Sequence, residues 1–194
     1  MHILDEYTQG LQQALAGIDR AAFDAMIAEM TRVHADDNCL FVAGNGGSAA
    51  TASHIVNDFI KGVAFPAKGQ EPLCKPLRVV GLADCVPLMT AFANDNDYSF
   101  MFAAQLKSLG RPGDVLLVIS GSGNSPSIVE AADTAKAAGM RVVAMTGFDG
   151  GKVGAMADVH VHVPCNSMPQ AEDAHLILQH AAVEALKAVL QGAK

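Results

Sequence analysis

The 194-residue sequence has no excess of basic residues: 13 Lys and Arg stand against 20 Asp and Glu, for a formal net charge of −7. Without a basic stripe to neutralise phosphates, the chain is not suited to nucleic acid or to an anionic membrane surface. A small anionic ligand is still compatible with it, because backbone N–H groups hold a phosphate without Lys or Arg. No apolar run is long enough to span a bilayer. The opening MHILDEYTQG starts an amphipathic helix, with neither the basic nor the apolar region of a secretory signal. The four cysteines (Cys39, Cys74, Cys85, Cys165) form no CxxC pair and no zinc-finger spacing. They are expected to be reduced structural thiols, which points to the cytoplasm. Pro/Gly/Ser-rich linkers, internal repeats and low-complexity tracts are absent too. One domain over 1–194 is therefore expected, with a helical extension over 1–36 and an α/β core over 37–194.

What is present is strong periodicity in a chain that is 51% apolar. Leu4, Tyr7, Leu11 and Leu15, then Phe23, Met26, Ile27, Met30 and Val33, recur at helical spacing and predict two N-terminal helices. Apolar runs at Cys39–Ala43, Leu77–Leu82, Val115–Ile119, Arg141–Met145 and Val159–Val163 predict strands. Helices are predicted over 48–61, 86–93, 98–109, 126–138, 151–156 and 171–191. Continuous runs such as VLLVI suit a parallel sheet buried on both faces. The expected fold is a three-layer α/β/α sandwich on a five-stranded parallel sheet in flavodoxin-like order, with ligands at the carboxyl ends of the strands.

Two strand-to-helix turns stand out. Gly44-Asn45-Gly46-Gly47-Ser48 follows the first strand, and its glycines allow close backbone approach beside the free N–H groups of a helix N-terminus. A dinucleotide site would need an acidic residue about 20 residues on. The nearest after the second strand, Asp84, is about twice as far, so no nucleotide cofactor is expected; no Lys-Ser/Thr pair follows the glycines, which excludes a Walker A loop. The second turn is Ser120-Gly121-Ser122-Gly123-Asn124-Ser125-Pro126. Ser125 fits a helix N-cap before Pro126 at the first helical position. One cap needs one hydroxyl, so Ser120 and Ser122 call for another explanation. A nest of N–H and O–H donors on a helix dipole binds anions, and a phosphate is expected here, with Ser48 as a further donor.

The stretches AGNGGSAATASH, FANDNDYSF, GDVLLVISGSGNSPSIVEA and MTGFDGGK resemble the sugar isomerase (SIS) domain, and within it the phosphoheptose isomerase branch. The likeness runs from about residue 36 to 190. The resemblance implies isomerisation of sedoheptulose 7-phosphate, a tetramer with active sites at subunit interfaces, often a zinc ion, and His and Glu as acid and base. By position the family's helix-borne histidine falls on His54 and its catalytic glutamate on Asp58. Its Gln-Glu-x-His segment and following His fall on Glu172-Asp173-Ala174-His175 and His180, and its Asn-Asp pair on Asn94-Asp95. Three residues depart from the family pattern. Asp58 is one methylene shorter than Glu, Glu172 replaces a neutral amide, and Gly62 stands where a basic residue is common.

Moving a proton between C1 and C2 of a sugar needs a base near both carbons and a group that stabilises charge on the two oxygens. His54 and Asp58, at i and i+4, share one helix face. With Glu172 and His180 they would make an N/O donor set suited to zinc or another divalent ion. Eight helical residues rise about 12 Å, however. Glu172 and His180 can share an ion only if Glu172 lies in the loop before the helix, or if the two come from different subunits. The expected roles are Asp58 and His180 as the proton-transfer pair, and Asn45, Gly46, Gly47, Ser48, Asn94, Asp95, Ser120, Gly121, Ser122, Asn124, Ser125 and Glu172 at the substrate. His175 reads as a core or interface histidine. His160 and His162 share one face of an edge strand and read as exposed, though a metal pair is conceivable. Apolar helix faces in excess of what one sheet covers predict a homo-oligomer. Two other readings stay open: a non-catalytic SIS module that senses a sugar phosphate or binds a protein, and an isomerase of a different phosphosugar.

Overall fold

A computed structural model describes residues 2–65 and 68–192. Helices α1 (Ile3–Ala16) and α2 (Arg20–Ala35) come first. Strands then alternate with helices: β1 (Cys39–Gly44), α3 (Gly47–Asn57), β2 (Arg78–Gly81), α4 (Val86–Asp95), α5 (Met101–Leu109), β3 (Val115–Ser120), α6 (Pro126–Ala137), β4 (Arg141–Thr146), α7 (Gly151–Met156), β5 (Val159–His162) and α8 (Met168–Leu190). A π-helical turn, Asp58–Gly62, continues α3.

The five strands are all parallel, in the order β2-β1-β3-β4-β5. The expected flavodoxin-like sheet is therefore present. Its order reverses between β1 and β3, and the carboxyl ends of these two strands flank the crevice where open α/β sheets take ligands. Every residue of β1 and β3 is buried, because alternate side chains feed two cores. Leu40, Val42, Leu117, Ile119, Val143 and Met145 face a core shared with α1, α2, α3 and α8. Phe41, Ala43, Leu116, Val118, Val142 and Ala144 face one shared with α5, α6 and α7. The N-terminal helices are integral to the first core, which contains Ala14, Met26, Met30 and Val33.

Two local expectations need correcting. The last helix begins at Met168, three residues earlier than the sequence predicts, with Pro169 in its first turn, where a missing N–H costs nothing. On the edge strand β5, His160 and His162 are half-buried. His160 Nε2 pairs with Thr146 Oγ1 at 2.7 Å, and His162 Nε2 with the Phe148 carbonyl at 2.9 Å. The histidines therefore tie the edge strand to its neighbours, and neither falls in a metal-holding group among the described residues. The four cysteines are free.

Candidate active site

Both predicted turns open at the carboxyl ends of β1 and β3. In the first, Gly46 has φ 56° and ψ −123°, a conformation that strains any residue with a Cβ. It releases the chain into α3 with the N–H groups of Gly47 and Ser48 unpaired by the helix. Asn45 is held at both ends of its amide: Nδ2 donates to Ser127 Oγ at 2.9 Å, and Oδ1 accepts from the Tyr98 hydroxyl at 2.8 Å.

In the second turn Ser120 Oγ accepts from the Gly123 N–H at 3.2 Å, and Ser122 Oγ from the Asn124 N–H at 3.3 Å. Asn124 serves the loop itself. Its amide donates to the Ser122 carbonyl at 2.9 Å and accepts from the Lys152 N–H at 3.1 Å, which ties the turn to α7. Ser125 stands at the N-cap position of α6 as expected, but its hydroxyl makes no capping bond. It lines the cleft instead.

The turns enclose a cleft of about 240 Å³, lined by Asn45, Gly46, Gly47, Ser48, Ile119, Ser120, Gly121, Ser122, Ser125, Met168 and Glu172. Two helix N-termini, those of α3 and α6, meet there, and their dipoles and free N–H groups favour an anion. A larger hollow of about 360 Å³ opens beside Arg78 and Arg111, away from both turns. Asn94 and Asp95 lie outside the cleft, exposed at the end of α4, with Asn94 Nδ2 bonded to Asp95 Oδ1 at 2.6 Å.

Farther along α3 and α8 a second group of side chains converges. Asp58 Oδ2 lies 3.2 Å from His54 Nε2 and 3.7 Å from His180 Nε2, and the two imidazole nitrogens are 3.5 Å apart. The i, i+4 spacing on α3 stacks His54 on Asp58, and α8 brings in His180 from the side. Two amides hold the carboxylate: Asn57 Nδ2 donates to Oδ1 and Gln179 Nε2 to Oδ2, each at 2.7 Å. Directly after Asp58 the helix widens, and the Val63 N–H reaches back five residues to the Asp58 carbonyl. Such π-turns recur at functional sites.

The structure thus brings together three of the four residues expected to hold a metal. Glu172 lies inside α8, so it cannot reach the ion of its own subunit from a preceding loop. Its carboxylate sits over Gly47, where a Cβ would come within 2.7 Å of it, at the end of the two helices that borders the cleft. His54, Asp58 and His180 themselves fit a divalent ion. Their separations of 3.2, 3.5 and 3.7 Å lie in or within about 0.1 Å of the edge range, about 3.3–3.6 Å, of a tetrahedron with bonds of about 2.0–2.2 Å. Two imidazoles and a carboxylate, with a fourth position open, are a donor set that zinc accepts.

On α8, His175 is fully buried with neither ring nitrogen hydrogen-bonded. Burial pushes its pKa down to about 4; the nearby Thr146 backbone opposes the shift without forming a bond of normal geometry. Because the folded-state pKa lies below the unfolded value near 6.5, the folded protein refuses a proton that the unfolded chain takes up. Stability is then unaffected above about pH 6.5 and falls as the pH drops towards 4, by a total of about 3 kcal/mol. Urea titrations between pH 7 and 4 should show this slope in the wild type and a shallower one in His175→Leu. Equal slopes would remove His175 as the cause.

Residues 5–147 match the SIS domain family. The phosphoheptose isomerase of Aromatoleum aromaticum is 36% identical over 183 residues, covering 93% of this chain and 87% of the relative. The chain belongs to the phosphoheptose isomerase family of SIS domains. Solved family structures agree with the architecture. The phosphoheptose isomerase of Neisseria gonorrhoeae superimposes with a TM-score of 0.83 at 32% identity, covering 95% of each chain. That of Francisella tularensis gives the same TM-score at 27% identity, covering 96% of this chain and 98% of the other. Asp58 places an acid beside both imidazoles, and Tyr98, Gln179 and Met168 join the site from outside the residues expected there. For Tyr98 a signal existed, since it lies in the FANDNDYSF stretch. Gln179 had none, because its role depends on α3 and α8 lying side by side.

Proposed function

We propose that this chain is a cytoplasmic isomerase that converts sedoheptulose 7-phosphate to D-glycero-D-manno-heptose 7-phosphate. The observation that carries the reading is the convergence of His54, Asp58 and His180 on the two helices whose other ends border the phosphate-type cleft. Ser48, Ser120, Ser122 and Ser125, with the N–H groups of α3 and α6, hold the phosphate. Asn45, braced by Tyr98 and Ser127, meets the sugar, and Glu172 accepts from its hydroxyls.

Asp58 is the carboxylate placed to take a proton from C1, and the enediol so formed receives a proton at C2 while the O1 hydrogen passes to O2. His180, beside the carboxylate, carries protons between those oxygens and Asp58. His54, Asp58 and His180 would also hold a zinc ion, which when bound supplies Lewis-acid stabilisation of charge on the sugar oxygens. A sensor would need the cleft alone, so the catalytic cluster favours the enzyme.

A tetramer is part of the proposal. It is supported by the apolar residues left exposed on α4 (Val86), α1 (Ile3, Leu4) and α8 (Ile177, Val189), and is checked by mass in solution at micromolar concentration. The deciding experiment is a coupled assay on sedoheptulose 7-phosphate with chelator and with zinc restored. Turnover that chelator abolishes and zinc restores is the expected result. Binding of the sugar phosphate without turnover in any metal state would select the sensor.

A further inference from the structure

Asp58 poses a problem of reach. A carboxylate one methylene shorter than glutamate is drawn back by about one carbon–carbon bond, near 1.5 Å, and a misplacement of about 1 Å at a reacting centre can cost 100-fold in rate. Something must hold the shorter side chain where it can act. The Gln179 amide donates to Asp58 Oδ2 at 2.7 Å, the same oxygen that faces His54 and His180. Gln179 is only 1% exposed, so its end of the contact is shielded from water.

The amide has one hydrogen bond here and it goes to Asp58, because Gln179 Oε1 has no partner. Charge fixes which end of the glutamine faces the acid: an ionised carboxylate only accepts, so the NH₂ and not Oε1 points at it. Burial of Gln179 in α8 holds the amide in that place.

We propose that Gln179 is the positioning residue that sets Asp58 against the two imidazoles and compensates for its short reach. This rests on the isomerase reading, with Asp58 at the reacting carbons. Gln179 does not touch substrate. It acts through Asp58 alone.

The test is a double-mutant cycle on the intact protein with sedoheptulose 7-phosphate, comparing Gln179→Leu, Asp58→Glu and the pair. Gln179→Leu keeps the buried volume and removes the donor. It should lower kcat by about 10–100-fold with KM nearly unchanged. Asp58→Glu lowers activity in the wild-type background, where the longer side chain crowds the amide, but raises it in the Gln179→Leu background, where its reach substitutes for the lost support. A purely structural role predicts instead a lowered thermal midpoint with kcat intact, and no reversal in the effect of Asp58→Glu. Either finding overturns the proposal. A second readout needs no turnover: the imidazole ¹⁵N resonances of His54 and His180 in the resting protein should move in Gln179→Leu, and unmoved resonances contradict the positioning role. If the wild type fails to turn over this sugar, the substrate assignment falls, while the resonances still judge the contact.

Discussion

Asp58→Asn should lower kcat/KM on sedoheptulose 7-phosphate by about 10²–10⁴-fold, the usual contribution of a positioned acid–base group. Asn keeps the volume and the hydrogen bonds from the Asn57 and Gln179 amides in part, so the fold should survive. What it lacks is the ability to take a proton. An Asn variant as fast as the wild type would remove Asp58 from the mechanism and transfer its role to His180. Asp58→Glu asks a different question. Two amides and a π-turn already fit the shorter side chain into its place, so lengthening it should lower activity, by about 10–100-fold if the carboxylate moves about 1 Å. A faster Glu variant would show that the wild-type site is poorly matched to its substrate.

The second large effect is expected at the phosphate cleft. Ser122→Asp puts a fixed negative charge among donors arranged for an anion, and Glu172 already contributes one carboxylate to the lining. At about 4 Å two like charges repel by about 4 kcal/mol at an effective dielectric of 20, so KM should rise by at least about 100-fold. Ser122 is only half-buried and its hydroxyl accepts one backbone N–H, which leaves folding largely unaffected. Thermal stabilisation by sedoheptulose 7-phosphate should vanish in this variant. Stabilisation equal to that of the wild type would place the phosphate elsewhere.

The sheet was legible because each strand is a short continuous apolar run and each helix has its own period. Both signals are local, and the strand positions agree within a residue or so. The turns were legible for the same reason: Gly46 with positive φ and Pro126 at a helix start are choices made within a few residues. Side-chain partnerships across elements were not. Ser125 has the sequence of a helix cap, and only the fold shows its hydroxyl uncommitted to that bond. His160 and His162 read as exposed until Thr146 and Phe148 are seen beside them. Gln179 looks like any polar residue in a helix until α3 places Asp58 within hydrogen-bond distance. The Glu172–His180 conflict was visible from helix rise alone, and the start of α8 at Met168 resolves it within one subunit.

On the proposed roles, helix α3, which runs from the cleft to the His54–Asp58 group, also acts as a ruler. Ser48 and His54 are six residues apart on α3, an axial rise of about 9 Å. From C1 to the phosphorus of a seven-carbon 7-phosphate is roughly 10 Å in the extended form, at about 1.25 Å along the chain per carbon–carbon bond. A sugar seated by its phosphate therefore delivers C1 and C2 to His54 and Asp58 only if the chain has the right length. A phosphopentose held by the same serines stops about 2.5 Å short. With about 100-fold in rate at stake for each ångström, the enzyme can reject it without a single contact to the missing carbons.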